Sequence, residues 1–148
     1  MSDKHLTLEL VTPEKVAWSA PADFVVLPAA DGEMGVLPGH MPFLVQLAEG
    51  EVRVTENEQV KRFAVSGGFA EIKDNVVSLF AETAEQSDQI NAERARQALE
   101  RAKAEATKPG LDPLVLAEIE AAMRRAQVRL NVARHGKGAP SLDPRDHE

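Results

Sequence analysis

The sequence has no cysteine and no tyrosine, a single tryptophan, Trp18, and an aromatic content of only 4%. Without cysteine there is no disulfide framework, no thiolate metal site and no cysteine nucleophile. So few aromatic residues argue against a surface that stacks nucleic-acid bases. No apolar run approaches the roughly 18 residues of a membrane-spanning helix, so membrane association is expected only through partners. The segment Met1-Ser2-Asp3-Lys4-His5 leads into alternating residues without the apolar run of a secretion signal, and no such leader is expected. Positive charge is also short. With 17 Lys and Arg against 24 Asp and Glu, the net charge of -7 disfavours a nucleic-acid binder, whose phosphate contacts need a basic face.

Other absences narrow the chemistry. The four histidines, His5, His40, His135 and His147, have no metal-ligand spacing. Gly67-Gly68 is followed by neither Lys-Ser/Thr nor a helical pattern, which excludes a phosphate-binding loop and leaves a tight strand connection or bulge. No Gly-x-Ser-x-Gly elbow accompanies the serines, so nucleophilic catalysis is not expected.

What is present divides into two halves. Residues 1–86 carry 6 Lys and Arg against 14 Asp and Glu, and residues 87–148 carry 11 against 10, so the halves face different electrostatic company. The first half is a series of short apolar segments: Leu6, Leu8 and Leu10 alternating with Thr7 and Glu9, then Phe24–Leu27, Phe43–Leu47, Val52–Val54, Phe63–Val65, Phe69–Ile72 and Val76–Phe80. Turn-forming residues separate them, at Asp31-Gly32, Glu49-Gly50, Glu56-Asn57-Glu58-Gln59 and Asp74-Asn75. Many strands at about ten-residue spacing predict a sandwich or a barrel.

The period changes near Gln86. Ala92, Ala95, Leu99, Ala102 and Ala106 form one helical seam, and Lys108-Pro109-Gly110 stops it. Asp112 is the expected N-cap of a second helix with Pro113 at its first position, and its seam is Leu116, Ile119, Met123, Ala126, Leu130 and Ala133. Two seams joined by a tight turn predict an antiparallel hairpin over 87–135. A further flank, Leu114, Ala117, Ala121, Val128 and Val132, must meet the sheet or another protein. The first seam is four alanines and one leucine, and at about 0.8 kcal/mol per buried carbon it holds the hairpin weakly. Such an element is suited to detaching and docking elsewhere. Residues 136–148 lack periodicity and are expected to be a disordered tail.

Three segments together resemble a known family. They are Asp31-Gly32-Glu33-Met34-Gly35-Val36-Leu37-Pro38-Gly39-His40-Met41-Pro42, Val65-Ser66-Gly67-Gly68-Phe69-Ala70-Glu71-Ile72 and Ala81-Glu82-Thr83-Ala84-Glu85. In order and spacing they are similar to the epsilon-subunit family of the bacterial rotary F-type ATP synthase, a resemblance running from about Leu6 to Ala133. It implies an α+β fold, a ten-stranded β-sandwich followed by an antiparallel α-helical hairpin. It also implies a non-catalytic rotor subunit at the cytoplasmic face of the bacterial inner membrane, coupling proton translocation to ATP synthesis.

The partners implied are the gamma subunit of the central stalk, the c-subunit ring, and the alpha and beta subunits of the catalytic head. In the family the helices either fold against the sandwich or rise along the shaft and block ATP hydrolysis. Carried over by motif position, Glu33 would approach the c ring and His40 the gamma contact. Local sequence alone reads Glu33 as a solvated turn residue and His40 as a structural one. Arg124, Arg125, Arg129 and Arg134 would meet an acidic loop of the catalytic subunits, or simply favour the helix dipole near its C-terminus.

The family's nucleotide motif, Ile-Asp-x-x-Arg-Ala, reads here Ile90-Asn91-Ala92-Glu93-Arg94-Ala95, within an expected helical segment from Glu85 to Arg101, with Arg125 and Arg129 on the second helix. Asn91 stands where the family has Asp. An amide is no ionic partner for arginine, so weak or no ATP binding and no cofactor are expected. The reading from another class is a free-standing β-sandwich binding protein or enzyme with a helical dimerisation hairpin.

Overall fold

The computed structural model describes residues 5–14 and 18–136. They fall into two compact units that divide between Gln86 and Ser87.

The first unit contains ten strands: β1 (Leu6–Val11), β2 (Trp18–Ala22), β3 (Phe24–Ala29), β4 (Gly32–Val36), β5 (Phe43–Gln46), β6 (Gly50–Glu56), β7 (Gln59–Val65), β8 (Phe69–Lys73), β9 (Val76–Phe80) and β10 (Ala84–Gln86). One sheet has the order β2-β1-β9-β8-β5, and the other β10-β7-β6-β3-β4. Neighbours are antiparallel except β1 and β9, which run parallel from Thr7 opposite Val76 to Val11 opposite Phe80.

Alternation explains the layers, because successive side chains on a strand point to opposite faces. Leu6, Leu8 and Leu10 of β1, Val25 and Leu27 of β3, Val52 and Val54 of β6, Ala70 and Ile72 of β8, and Val77 and Leu79 of β9 all lie in one buried cluster between the sheets. Trp18 of β2 joins it with its ring 5.1 Å from that of Phe63 on β7, so the aromatic pair ties the two sheets. Two-residue turns at Asn57-Glu58 and Asp74-Asn75 have both residues at positive φ, the geometry that matches the twist of the hairpins they close. Gly68 has φ +107, and a Cβ there would run into the Phe80 carbonyl oxygen, so only glycine lets β8 begin this close to β9.

The second unit opens with a 3-10 turn, Ser87–Gln89, followed by α1 (Ala92–Ala106) and α2 (Pro113–Gly136). Asn91 caps α1, its side-chain oxygen accepting from the Arg94 N–H at 3.0 Å. Asp112 caps α2 by accepting from the Leu114 N–H at 2.8 Å, with Pro113 in the first helical position. Ala95, Leu99, Ala126 and Leu130 form the buried core of the hairpin, with Ala92, Ala98 and Met123 packed at its margin. The N-terminal part of α2 is barer: Leu114 is 77% exposed, and Val115 is exposed beside it. No helix among the described residues is long and apolar enough to cross a membrane.

Two expectations are corrected. Glu85 is not helical. It sits in β10, opposite Ala64 of β7, because the helical period begins only after the 3-10 turn. The second helix runs through Gly136, one residue past the expected boundary, as helix ends commonly do. The remainder of the expected tail, residues 137–148, lies outside the described residues.

Candidate partner-binding site

Three surfaces carry the candidate residues. The first lies on the outer face of the sheet ending in β4. Glu33 of β4 is opposite Pro28 of β3, and Val26 of β3 is opposite Arg53 of β6. Arg53 reaches over β3 and donates to Glu33 Oε2 at 2.8 Å. It also lies 3.4 Å from Glu51 Oε1, which accepts from Arg62 of β7 at 2.9 Å. The result is an alternating ladder, Glu33, Arg53, Glu51, Arg62, that grows more buried inward: Glu33 is 60% exposed and Glu51 14%. Burial pulls the Arg53 pKa down, but the hydrogen bonds and charges of Glu33 and Glu51 outweigh it and leave the value raised. Arg53 therefore stays a cation, and it holds one oxygen of a Glu33 side chain that is otherwise largely exposed.

The second surface is the loop between β4 and β5 with the sheet face beside it. Leu37, Met41 and Phe43 are exposed. The His40 ring meets Phe43 edge-on at 6.3 Å, and its Nδ1 donates to the Met41 carbonyl at 2.7 Å. On the adjoining sheet, Leu44 is opposite Glu71, Gln46 opposite Phe69 and Phe69 opposite Phe80, so Leu44, Phe69 and Phe80 share the outer face. All three are exposed, and the two phenyl rings stack at 4.9 Å. Exposed large apolar side chains gathered in this way mark an interaction surface.

The third surface is the hairpin. Arg124, Arg125 and Arg134 are exposed and Arg129 half-buried along the C-terminal half of α2. The nucleotide-type residues have different surroundings. Ile90 is 3% exposed and Ala95 fully buried, Asn91 uses its side-chain oxygen to cap α1, and Glu85 belongs to the other unit. Arg94 and Arg101, seven residues apart, share the exposed side of α1.

The family resemblance singled out Glu33 and His40 but not the residues around them. Arg53, Glu51 and Arg62 stand at outward positions of strands whose pairing is long-range, and no local pattern joins them. Phe69 and Phe80 were legible in principle, since Phe69 has the parity of the polar Glu71 and Lys73 and the opposite parity to the buried Ala70 and Ile72.

Comparison with known proteins covers both units. The family described as ATP synthase, Delta/Epsilon chain, beta-sandwich domain matches residues 5–87, and the one described as ATP synthase, Delta/Epsilon chain, long alpha-helix domain matches residues 88–134. The ATP synthase epsilon chain of Desulforamulus reducens is 42% identical over 130 residues, 88% of this chain and 98% of that protein. That of Moorella thermoacetica is 45% identical over 131 residues, covering 86% and 96%. Among solved structures, a chain in the cryo-EM structure of the Euglena gracilis mitochondrial ATP synthase, an OSCP/F1/c-ring assembly in rotational state 1, is 30% identical with a TM-score of 0.77, covering 90% of this chain and 83% of that one.

Proposed function

The chain belongs to the ATP synthase delta/epsilon family, and on that premise we propose how a non-catalytic central-stalk subunit of the membrane-associated ATP synthase uses the three surfaces described. The sandwich grips the gamma shaft through the apolar loop around His40 and the Leu44, Phe69 and Phe80 face. Glu33, at the edge strand β4, meets basic groups on the polar loops of the c ring. The helices of the hairpin reach the alpha and beta subunits, with Arg124, Arg125, Arg129 and Arg134 facing an acidic loop, and restrain ATP hydrolysis. This places the chain at the cytoplasmic face of the bacterial inner membrane, held there by its partners.

The observation that carries this reading is the separation of labour between the units. The sandwich has its own closed core and a gathered apolar surface, while the two helices bury Ala95, Leu99, Ala102, Ala126, Leu130, Val132 and Ala133, four of them alanines, and leave Leu114 and Val115 exposed. A firmly built gripping module and a lightly held arm are what coupling and restraint require of one chain. The free-standing reading does not account for relatives matched across both units.

Deleting residues 87–148 tests the division directly. The complex is expected to assemble and to couple proton flow to synthesis, while its ATP hydrolysis rate rises. Hydrolysis unchanged by the deletion would remove the restraining role from the hairpin.

A further inference from the structure

The loop from Leu37 to Pro42 joins β4 to β5 and exposes Leu37 and, at 77%, Met41. A loop left loose in solution must be ordered when a partner binds, which lowers affinity. This one is tied to a distant turn. The Gly39 N–H donates to Asn75 Oδ1 at 2.7 Å, across 36 residues of sequence. Gly39 has φ +88, which directs its N–H out of the loop, and Asn75 sits at φ 63 in the turn between β8 and β9. The same asparagine is anchored from behind, since its carbonyl oxygen accepts from the Thr7 N–H at 2.8 Å at the start of β1. Its amide is thus held by the sheet and offered to the loop.

We infer that Asn75 is a positioning residue for this interaction surface: its side chain latches the Leu37–Pro42 loop in the conformation that meets the shaft subunit. The inference rests on the reading that this loop contacts that subunit. The kind of cleft it fits follows from the loop's chemistry. A carbonyl oxygen only accepts, so His40 Nδ1 carries the proton in its bond to Met41, which fixes the ring beside the exposed Met41 side chain. The loop therefore presents a thioether beside an imidazole, suited to an apolar cleft with a polar rim.

The test compares Asn75→Gly and Asn75→Asp in the full chain against the isolated gamma subunit of the same complex. Glycine accepts positive φ and keeps the turn while removing the acceptor, whereas aspartate keeps both. Asn75→Gly is expected to speed amide exchange at Gly39 and to weaken gamma binding about fivefold, the value of one ordinary hydrogen bond. Asn75→Asp is expected to restore both. Unchanged exchange at Gly39 in the glycine variant, or equal weakening by the two substitutions, overturns the latch. Faster exchange without weaker binding, in a protein where Met41→Ala does weaken binding, also overturns it and leaves the loop's contact standing. If Met41→Ala and His40→Ala both bind gamma unchanged, the loop contact fails and the inference fails with it.

Discussion

Asp23 shows how a single exposed carboxylate is drawn into the fold. It lies between β2 and β3, accepts the Asn57 N–H at 2.9 Å and pairs with His5 Nδ1 at 2.8 Å. The backbone hydrogen bond from Asn57 is the main cause that holds its pKa below the usual value, against an opposing effect of burial, with His5 adding to the lowering. A depressed carboxylate contributes stability above its unfolded pKa and loses it as the pH falls through the folded value. The melting temperature of Asp23→Asn is therefore expected to lie below that of the native sequence near pH 6, with the gap closing by about pH 2. A gap that persists in acid would show that the charge is not its source. Asn91 invites a second measurement. Aspartate caps a helix as well as asparagine does, so Asn91→Asp should fold unchanged. Calorimetry is expected to find no micromolar ATP binding by the native chain and a gain in the variant.

Among the elements, the hairpin is the most exposed to substitution. Leu99 is its largest contribution from α1 and is 6% exposed against Ala126 and Leu130. Leu99→Ala is expected to cost about 2 to 3 kcal/mol of local stability. Hydrogen exchange is the measurement: protection should fall across α1 and α2 and stay in the strands, whose buried cluster is separate. Both helices were legible in the sequence because a 3.6-residue period, the Asp112 cap and a Pro-Gly stop agreed, whereas the Asn91 cap of α1 was not anticipated. Seven strands were legible for the same kind of reason, and β4 as a short strand between the turns at Asp31-Gly32 and Pro38-Gly39. β2 escaped because Trp18-Ser-Ala-Pro-Ala has little β-branched character and holds a proline, which an edge strand tolerates. β10 escaped as a three-residue edge strand of Ala, Glu and Gln. The site was half legible. The family resemblance pointed to Glu33 and His40, whereas Arg53 acts on Glu33 from 20 residues away and Asn75 on Gly39 from 36, pairings that only the folded sheets create.

For the whole molecule, the two units make the truncation at residue 87 informative beyond ATP hydrolysis. The 17 buried residues of the sandwich cluster all lie between Leu6 and Ala81, so nothing in that cluster is lost with the hairpin. The truncated chain is expected to unfold in one cooperative transition, observed by circular dichroism in urea. A broad, non-cooperative melt would mean that the sandwich draws its stability from the helices.

The parallel pairing of β1 with β9 has a consequence for how the protein is made. Residues 7–11 find their neighbours at positions 76–80, so during synthesis β1 stays without that neighbour until the seven strands between them and β9 itself have been made. Pairing over such separations is slow, and the edge of β1 opposite β2 is open to stray associations while it waits. During synthesis, Leu6, Leu8 and Leu10 are thus the stretch most in need of shielding by a chaperone.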